Sequence, residues 1–511
     1  MTSRVLGLVR DQVMAYLFGA GNAVDAYNVA FRIPNLVRDL FAEGAMSAAF
    51  VPTFTKRLTT DGREAAWRLG SHVITALVIV TDTLVVAGII FADPLVRAFA
   101  GDYADVPGKL ELATLLTRIM LPFLTFVAIA AAVMGMLNAL HSFFLPALSP
   151  AMFNVATIIC AFALVPFMPS VGLPPIAGIA IGTLVGGVAQ LALQWPVLTR
   201  QGFRYRPAVN WRDEDLRRVL MLMGPGTIGV AATQVNVFVN TILAVGEGTG
   251  AVSWLNYAFR LMYLPIGLFG VSLATATLPA VSRQLAEGDR AAVRGTIAHS
   301  LSLMMMLNVP ATLGLVVLAV PIVRVIFERG QFTAADTAAT AAALQLYGVG
   351  LLGYSVVRIV SPTFYALGRS RIPVMVSVAT VLVNAALNIV LVQQMGYRGL
   401  ALGTSIAALF NAALLVIFLR RDLNGFEGRR VAGTFVKVLT ASLLMSAAAI
   451  GADMALTLAA PGPSLAAQIL RLGGAIGAAL VVLAASSHLL RIREFSEGMA
   501  LVTRRFRGRR S

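Results

Sequence analysis

Four arginines and four acids fall within the first 43 residues, inside stretches that are otherwise apolar: Arg4, Arg10, Arg32 and Arg38 with Asp11, Asp25, Asp39 and Glu43. No comparable cluster occurs elsewhere in the chain. A guanidinium presents a planar fork of donors and keeps its charge at every physiological pH, so unpaired arginines facing a watery cavity suit a diphosphate. Arg10 and Arg38, with Arg260 much later in the chain, are the expected ligand contacts. The same residues have a plainer use, since Arg32 could pair with an aspartate and Arg4 could lie at a membrane interface. In an unbroken helix Asp25, Arg32 and Asp39 share a face at intervals of seven, as do Arg4 and Asp11. Arg38 points about 100° away from Asp39, and Pro34 leaves the geometry across it open. Asp82, between Thr81 and Thr83, reads equally as a proton or ion site and as a hydrogen-bonded structural acid. Asn384 and Asn388, with Thr404 and the run Gln234, Asn236, Asn240, could line a cation site, though interhelical hydrogen bonding is the commoner use.

Other chemistries are poorly supplied. The four histidines stand singly at 72, 141, 299 and 488 and there is one cysteine, Cys160, so neither a metal centre nor a disulfide scaffold is expected. No G-x-x-x-x-G-K-[ST] loop is present, which argues against ATP-driven work by this chain alone. No cofactor is expected.

The charged cluster must be held by membrane-spanning elements. Of 511 residues 58% are hydrophobic and 13% charged, with mean hydropathy +0.81; a soluble surface needs about twice that charge. Apolar runs of about 20 residues, the length of a span, recur between Gly, Pro and charge punctuation. Fourteen are expected, near 3–19, 24–55, 71–92, 110–138, 144–168, 174–198, 217–245, 251–281, 296–323, 334–366, 373–395, 398–419, 431–456 and 465–490. Several should tilt or break at Pro34, Pro122, Pro225 and Pro265. The first is short, because only Met1 and Thr2 precede Ser3 and Arg4.

A net charge of +16 raises the question of nucleic acid, and its distribution answers it. Twenty-six of the 40 Lys and Arg lie in connections after even-numbered spans or in the tail, against five in odd connections, namely Arg97, Lys109, Arg324, Arg329 and Arg398. By the positive-inside rule both termini are then cytoplasmic. The tail arginines Arg504, Arg505, Arg507, Arg509 and Arg510 read as an anchor near anionic lipid, and no nucleic-acid partner is expected. The other nine basic residues lie within spans, where each costs a few kcal/mol or more unless a cavity, an ion pair or a snorkelling route exists. Lys437 and Arg471 suit snorkelling to lipid head groups.

The chain also repeats itself at an offset of about 227. Val24, Asn28, Ala30, Phe31 and Arg32 recur as Val252, Asn256, Ala258, Phe259 and Arg260; Pro94, Val96 and Arg97 as Pro321, Val323 and Arg324. Gly178, Ala180, Gly182 and Thr183 recur as Gly399, Ala401, Gly403 and Thr404. Six spans per copy is even, so the two lobes share one orientation, the arrangement of alternating-access transporters with a central cavity. The fold class is thus an all-α polytopic membrane protein: two pseudo-symmetric six-helix lobes plus two extra C-terminal helices. The expected divisions are 1–200 for the first lobe, 201–216 for a cytoplasmic amphipathic linker, 217–421 for the second lobe, 422–490 for helices thirteen and fourteen, and 491–511 for the basic tail.

The opening SRVLGLVRDQVMAYLFGAGNAVDAYNVAFRIPNLVRDLFAEGAMSAAFVPTF resembles that of the MurJ/MviN family, the bacterial lipid II flippases of the multidrug/oligosaccharidyl-lipid/polysaccharide transporter superfamily. Similarity continues through MGPGTIGV from Met223, VSWLNYAFRLMYLPIGLFGVSL from Val252, GQFTAADT from Gly330 and RIVSPTFYALGRSRIPV from Arg358. The resemblance implies fourteen helices in the inner membrane and movement of undecaprenyl-diphosphate-linked MurNAc-GlcNAc-pentapeptide from the cytoplasmic to the periplasmic leaflet for peptidoglycan synthesis. It carries the family's charged residues onto Arg4, Arg10, Asp11, Asp25, Arg38 and Arg260, with Ser3 and Glu43 in the same motifs. Helices thirteen and fourteen would form a groove for the lipid tail, and other cell-wall synthesis proteins become conceivable partners beside membrane lipids. The sequence departs from the family where Phe259 and Tyr263 replace common acids, and where Asn236 and Asn388 stand at aspartate positions of a sodium site. Related glycan flippases and drug exporters of the superfamily remain as alternatives. A membrane glycosyltransferase would also want buried arginines, but it needs catalytic groups in a sizeable outer loop, and the longest odd connection runs only from Asp93 to Lys109. A transporter, not an enzyme, is the expectation.

Overall fold

The computed structural model describes residues 2–39, 46–208, 210–425 and 427–497, without the side chains of 46–48, 222–233, 268, 269 and 271. Glu43 and the tail arginines therefore lie outside the described residues. Within them the regular structure is helical throughout. The first half contains α1 (Thr2–Phe18), α2 (Asn22–Arg38), α3 (Met46–Thr60), α4 (Gly62–Ile90), α5 (Ala92–Ala100), α6 (Lys109–Met120), α7 (Phe123–Ala139), α8 (Phe144–Leu164), α9 (Ala177–Arg200) and α10 (Glu214–Val245). The second contains α11 (Ala251–Pro265), α12 (Val271–Ala286), α13 (Arg290–Val317), α14 (Ala319–Phe327), α15 (Ala334–Ala366), α16 (Arg371–Met395), α17 (Tyr397–Asp422), α18 (Gly428–Ala459) and α19 (Leu465–Leu489).

Among the described residues ten helices are long and apolar enough to cross a membrane, counting Lys109–Ala139 as one. The other four expected spans coincide with α1, with α2 and α3, with α10, and with α11 and α12. These are the short, charged or interrupted ones. The chain bends at Leu121–Pro122, where α6 passes into α7, and at Pro265, where α11 gives way to a π turn, Ile266–Gly270. Pro34 sits inside α2, which continues to Arg38, and α10 runs without interruption past position 225. A proline removes one backbone donor without necessarily ending a helix in a membrane, where neighbouring groups accommodate the loss.

The duplication is visible in the order of elements. α3, α4, α5, α7, α8 and α9 are matched by α12, α13, α14, α15, α16 and α17, and the same pairs pack in each copy: α8 on α9 and α16 on α17, α7 on α9 and α15 on α17, α4 on α7 and α13 on α15. In lipid the attraction between helices comes from close van der Waals fit rather than from escape from water, which favours small residues at the contact. α9 accordingly presents Gly178 and Gly182 to α8; a Cβ at Gly178 would come 2.9 Å from the Val165 backbone nitrogen. Their repeat equivalents Gly399 and Gly403 lie against α16, where a Cβ would collide with the Leu391 carbonyl and the Asn388 side chain.

The nine-residue helices α5 and α14 were not anticipated as elements. Each buries one apolar face, through Val96 and Phe99 in α5 and Val323 and Phe327 in α14, and ends with an arginine in its last turn.

By compactness the chain forms two units, one of Met1–Ser253 with Arg329–Phe332, the other of Trp254–Glu328 with Thr333–Ser511. The boundary falls after α10 rather than before it, because α10 packs on α3, α4 and α5. Arg57 pairs with Asp215, and Phe99 meets Phe238 edge-on at 4.6 Å. The first unit's core centres on Phe50, Phe54, Ile74, Met136 and Phe203. That of the second centres on Ile297, Leu301, Met304, Ile359 and Phe364, and α18 and α19 join it through Val438 and Ala441 against Met306 and Val309, and through Ala449 and Ala475 near Leu318.

Candidate functional site

α1 packs against α8, which buries Arg10 and Asp11 within the first unit. Arg10 donates from Nε and Nη2 to the same Asp11 carboxylate oxygen, at 3.2 and 2.8 Å, and its guanidinium lies 5.5 Å from the centre of the Phe153 ring. An arginine in so dry a setting needs a counter-charge, since removing one member of a buried pair leaves the other uncompensated.

Arg38 repeats the arrangement at the end of α2, where it donates from Nε and Nη2 to one Asp39 oxygen at 3.0 and 2.7 Å. Gln234 of α10 donates to the other oxygen at 3.2 Å. The Arg10 and Arg38 guanidiniums, expected to be unpaired, are thus each held by the aspartate that follows. At Arg38, as at Arg10, the helical offset from the following aspartate is overcome by the length of the arginine side chain, since Asp39 keeps helical backbone angles. This second pair is only three-quarters buried.

Arg38 also forms part of the wall of a cavity of about 360 Å³ between α7, α8 and α9. Its polar lining is Asn138, Ser149, Gln190 and Gln194. Gln194 donates to the Ser149 hydroxyl at 2.7 Å, and that hydroxyl donates to the Gln190 carbonyl at 3.2 Å. Such a volume is at the small end for a ligand pocket, enough for a phosphate or a sugar ring but not for a lipid-linked glycopeptide.

Asp25 has different surroundings. Fully buried, it accepts from Lys109 Nζ at 3.0 Å, from the Gly250 and Ser253 backbone amides at 2.7 and 3.1 Å, and from the Ser253 hydroxyl at 2.7 Å. Lys109 is buried too, with its ammonium 4.1 Å from the centre of the Tyr103 ring. Burial first, and then the Asp25 charge, push the Tyr103 hydroxyl far above its ordinary range.

The remaining expected residues are spread over both units. Ser3 is half-buried and its carbonyl accepts from Asn154 at 3.2 Å, while Arg4 is exposed. Arg260 is exposed on α11 in the second unit. Asp82 is exposed and accepts from Thr125 at 2.6 Å, the hydrogen-bonded alternative. Asn388 donates to Asn384 at 2.9 Å, both buried. Arg471 reaches the Gly462 carbonyl at the head of α19, and Lys437 is exposed.

Sequence reasoning missed the polar cavity lining and Lys109 as a buried partner. Two signals were available: Gln190 and Gln194 are glutamines four apart in an apolar span, and Lys109 is the one lysine among the few basic residues of the odd connections.

Comparison with known proteins completes the picture. The family model described as lipid II flippase MurJ matches residues 14–461. A probable lipid II flippase MurJ of Vibrio cholerae is 36% identical over 422 residues, 81% of this chain and 80% of that one. The lipid II flippase MurJ of Burkholderia cenocepacia is 36% identical over 425 residues, 82% of each. A solved lipid II flippase MurJ in an inward closed conformation superposes with a TM-score of 0.78 at 26% identity, covering 96% of this chain and 97% of that one. An inward-facing multidrug transporter of the MATE family shares the fold with a TM-score of 0.70 at 16% identity, over 82% of this chain and 94% of that one. A multi-pass inner-membrane protein with this match over most of its length belongs to the MurJ family of lipid II flippases.

Proposed function

We propose that the chain carries lipid II across the membrane in a cycle of alternating access, with Arg10 and Arg38 holding its diphosphate and Arg260 as a further contact of the substrate. The observation that carries this reading is the pair of arginine-aspartate contacts in the first unit, one of them on the wall of a polar cavity. A guanidinium has five N–H donors in a fixed planar fork, the geometry that phosphate oxygens accept in pairs. Asp11 and Asp39 then orient the arginines and moderate their charge when no substrate is bound. Asp25 acts from a distance, by fixing the turn at Gly250–Ser253. Ser3, Arg4 and Glu43 belong to the same motifs and serve the entry of the head group.

In this reading both termini are cytoplasmic and transport runs from the cytoplasmic to the periplasmic leaflet. The moving lobes derive from the repeated halves, 1–200 and 217–421, joined by the linker 201–216, with α10 belonging to the first by its packing. Residues 422–490 hold the polyprenyl tail, and the basic tail 491–511 rests on anionic lipid. Cell-wall synthesis proteins that consume lipid II are the natural protein partners.

The test is complementation. Cells depleted of their resident flippase and supplied with this chain should grow and should not accumulate lipid II in the inner leaflet. Arg10→Ala and Arg38→Ala should fail while the protein is still present in the membrane. Full complementation by both variants at native expression would refute the assignment.

A further inference from the structure

Three aromatic rings gather around Phe259 in the second unit. Phe259 stacks with Tyr263, one turn further along α11, at 5.8 Å between ring centres and 26° between planes. Tyr347 and Tyr354 of α15 approach edge-on, at 5.5 Å and 75° and at 6.4 Å and 83°. Arg358, one turn beyond Tyr354, lies 5.8 Å from the centre of the Tyr263 ring and donates from Nη2 to the Tyr263 hydroxyl oxygen. Tyr347 is buried, whereas Phe259 is 36% exposed and Arg260 and Arg358 are exposed.

An arginine within a spanning helix is costly against hydrocarbon, so the face shared by Phe259, Tyr263 and Arg358 is one that water or a polar ligand covers. The hydrogen bond from Arg358 occupies a lone pair of the Tyr263 oxygen and leaves the hydroxyl proton to be donated elsewhere. An aromatic face with an outward donor and a neighbouring guanidinium suits a saccharide. The electron-rich rings attract the sugar's C–H face, and the hydroxyl and guanidinium meet its hydroxyl or acetamido oxygens. A lipophilic cation would also seek aromatic faces, but the Arg358 guanidinium beside them repels it.

We propose that Phe259, Tyr263 and Arg358 form a stacking platform for the glycan of the lipid-linked substrate. This rests on the lipid II reading above and adds to it a separate subsite for the sugar.

The test compares two ligands on the full-length chain purified in detergent: undecaprenyl diphosphate, and the same lipid bearing the MurNAc-GlcNAc disaccharide. Phe259→Leu keeps the apolar bulk without the ring, and Phe259→Trp keeps a ring. The Leu variant should lose about tenfold in affinity for the glycosylated lipid, the scale of one aromatic contact, with undecaprenyl diphosphate binding unchanged; the Trp variant should stay near the parent. Equal losses for both lipids, or none for either, would overturn the platform. So would displacement of the glycosylated lipid by tetraphenylphosphonium in the parent but not in the Leu variant. A parent chain that binds both lipids equally removes the sugar subsite and leaves the diphosphate reading standing. A parent that binds neither removes both.

Discussion

Asp25 and Asp39 occupy one stripe of α2, yet their surroundings give them different work. Asp39 shares its two oxygens between Arg38 and Gln234 and stays partly open, whereas Asp25 is enclosed by four donors, one of them the buried ammonium of Lys109. Breaking a buried ion pair by removing one partner costs about 3–5 kcal/mol, while removing both is far milder. Asp25→Asn and Lys109→Met should therefore each lower the unfolding temperature of the purified protein sharply, and the double variant should recover much of the loss. Additive losses in the double variant would show that the pair does not act as a unit. At Arg38, replacement by Lys keeps the charge but loses the two-pronged contact, so complementation should fall to an intermediate level between the parent and Arg38→Ala. Much of this was legible in the sequence, because an arginine inside an apolar run announces its own importance. What stayed hidden was the identity of each partner. Lys109 lies 84 residues from Asp25 and its role depends on how α6 packs against α2.

At the scale of elements the packing of small residues makes the clearest demand. The glycines that matched across the repeat do so because a second helix passes over each of them, a reason visible only once the helices are paired. Gly399→Ala must push its methyl into the Leu391 backbone, which has no side chain to swing aside. Overpacking of that kind typically costs about 1–3 kcal/mol. A loss of folded protein for Gly399→Ala, set against little change for Gly433→Ala, whose added methyl would meet open space, should appear in thermal unfolding. The corner between α3 and α4 makes a pH prediction. The hydrogen bond from Arg57, at 2.5 Å, holds the Asp61 carboxyl below its ordinary range, helped by Lys56. A lowered carboxyl contributes its stabilisation above the ordinary aspartate range and loses it only as pH falls through the lowered value. The difference in unfolding temperature between the parent and Asp61→Asn should therefore be small, since the pair is exposed, and constant from pH 8 down to pH 5. A difference that vanishes within that window would contradict the pairing. The short helices α5 and α14 escaped sequence reading because nine residues fall well below the length of a span, although their arginines had already matched across the repeat.

The molecule as a whole is two copies of one helical plan, and a duplication whose matches keep their order through the chain can be read before any coordinate is known. The place where packing divides the chain could not be read, since α10 opens the second copy in sequence but packs with the first unit. Charge accounting at this scale makes a further prediction. Lipid II carries about two negative charges on its diphosphate, and each is worth about 2.3 kcal/mol per 100 mV across the membrane. In proteoliposomes without sodium or a pH gradient, an inside-negative potential should drive net outward transport and the reverse potential should oppose it. Indifference to potential, with dependence on sodium or protons, would return attention to Asp82, Asn384 and Asn388. The most direct measurement of the central claim is the appearance of lipid II in the outer leaflet of vesicles containing the purified chain, scored by its accessibility to an external lipid II-cleaving enzyme. The parent should expose lipid II progressively, and Arg10→Ala and Arg38→Ala, reconstituted to the same density, should leave it protected. Exposure at equal rates by the parent, both variants and protein-free vesicles would contradict the account.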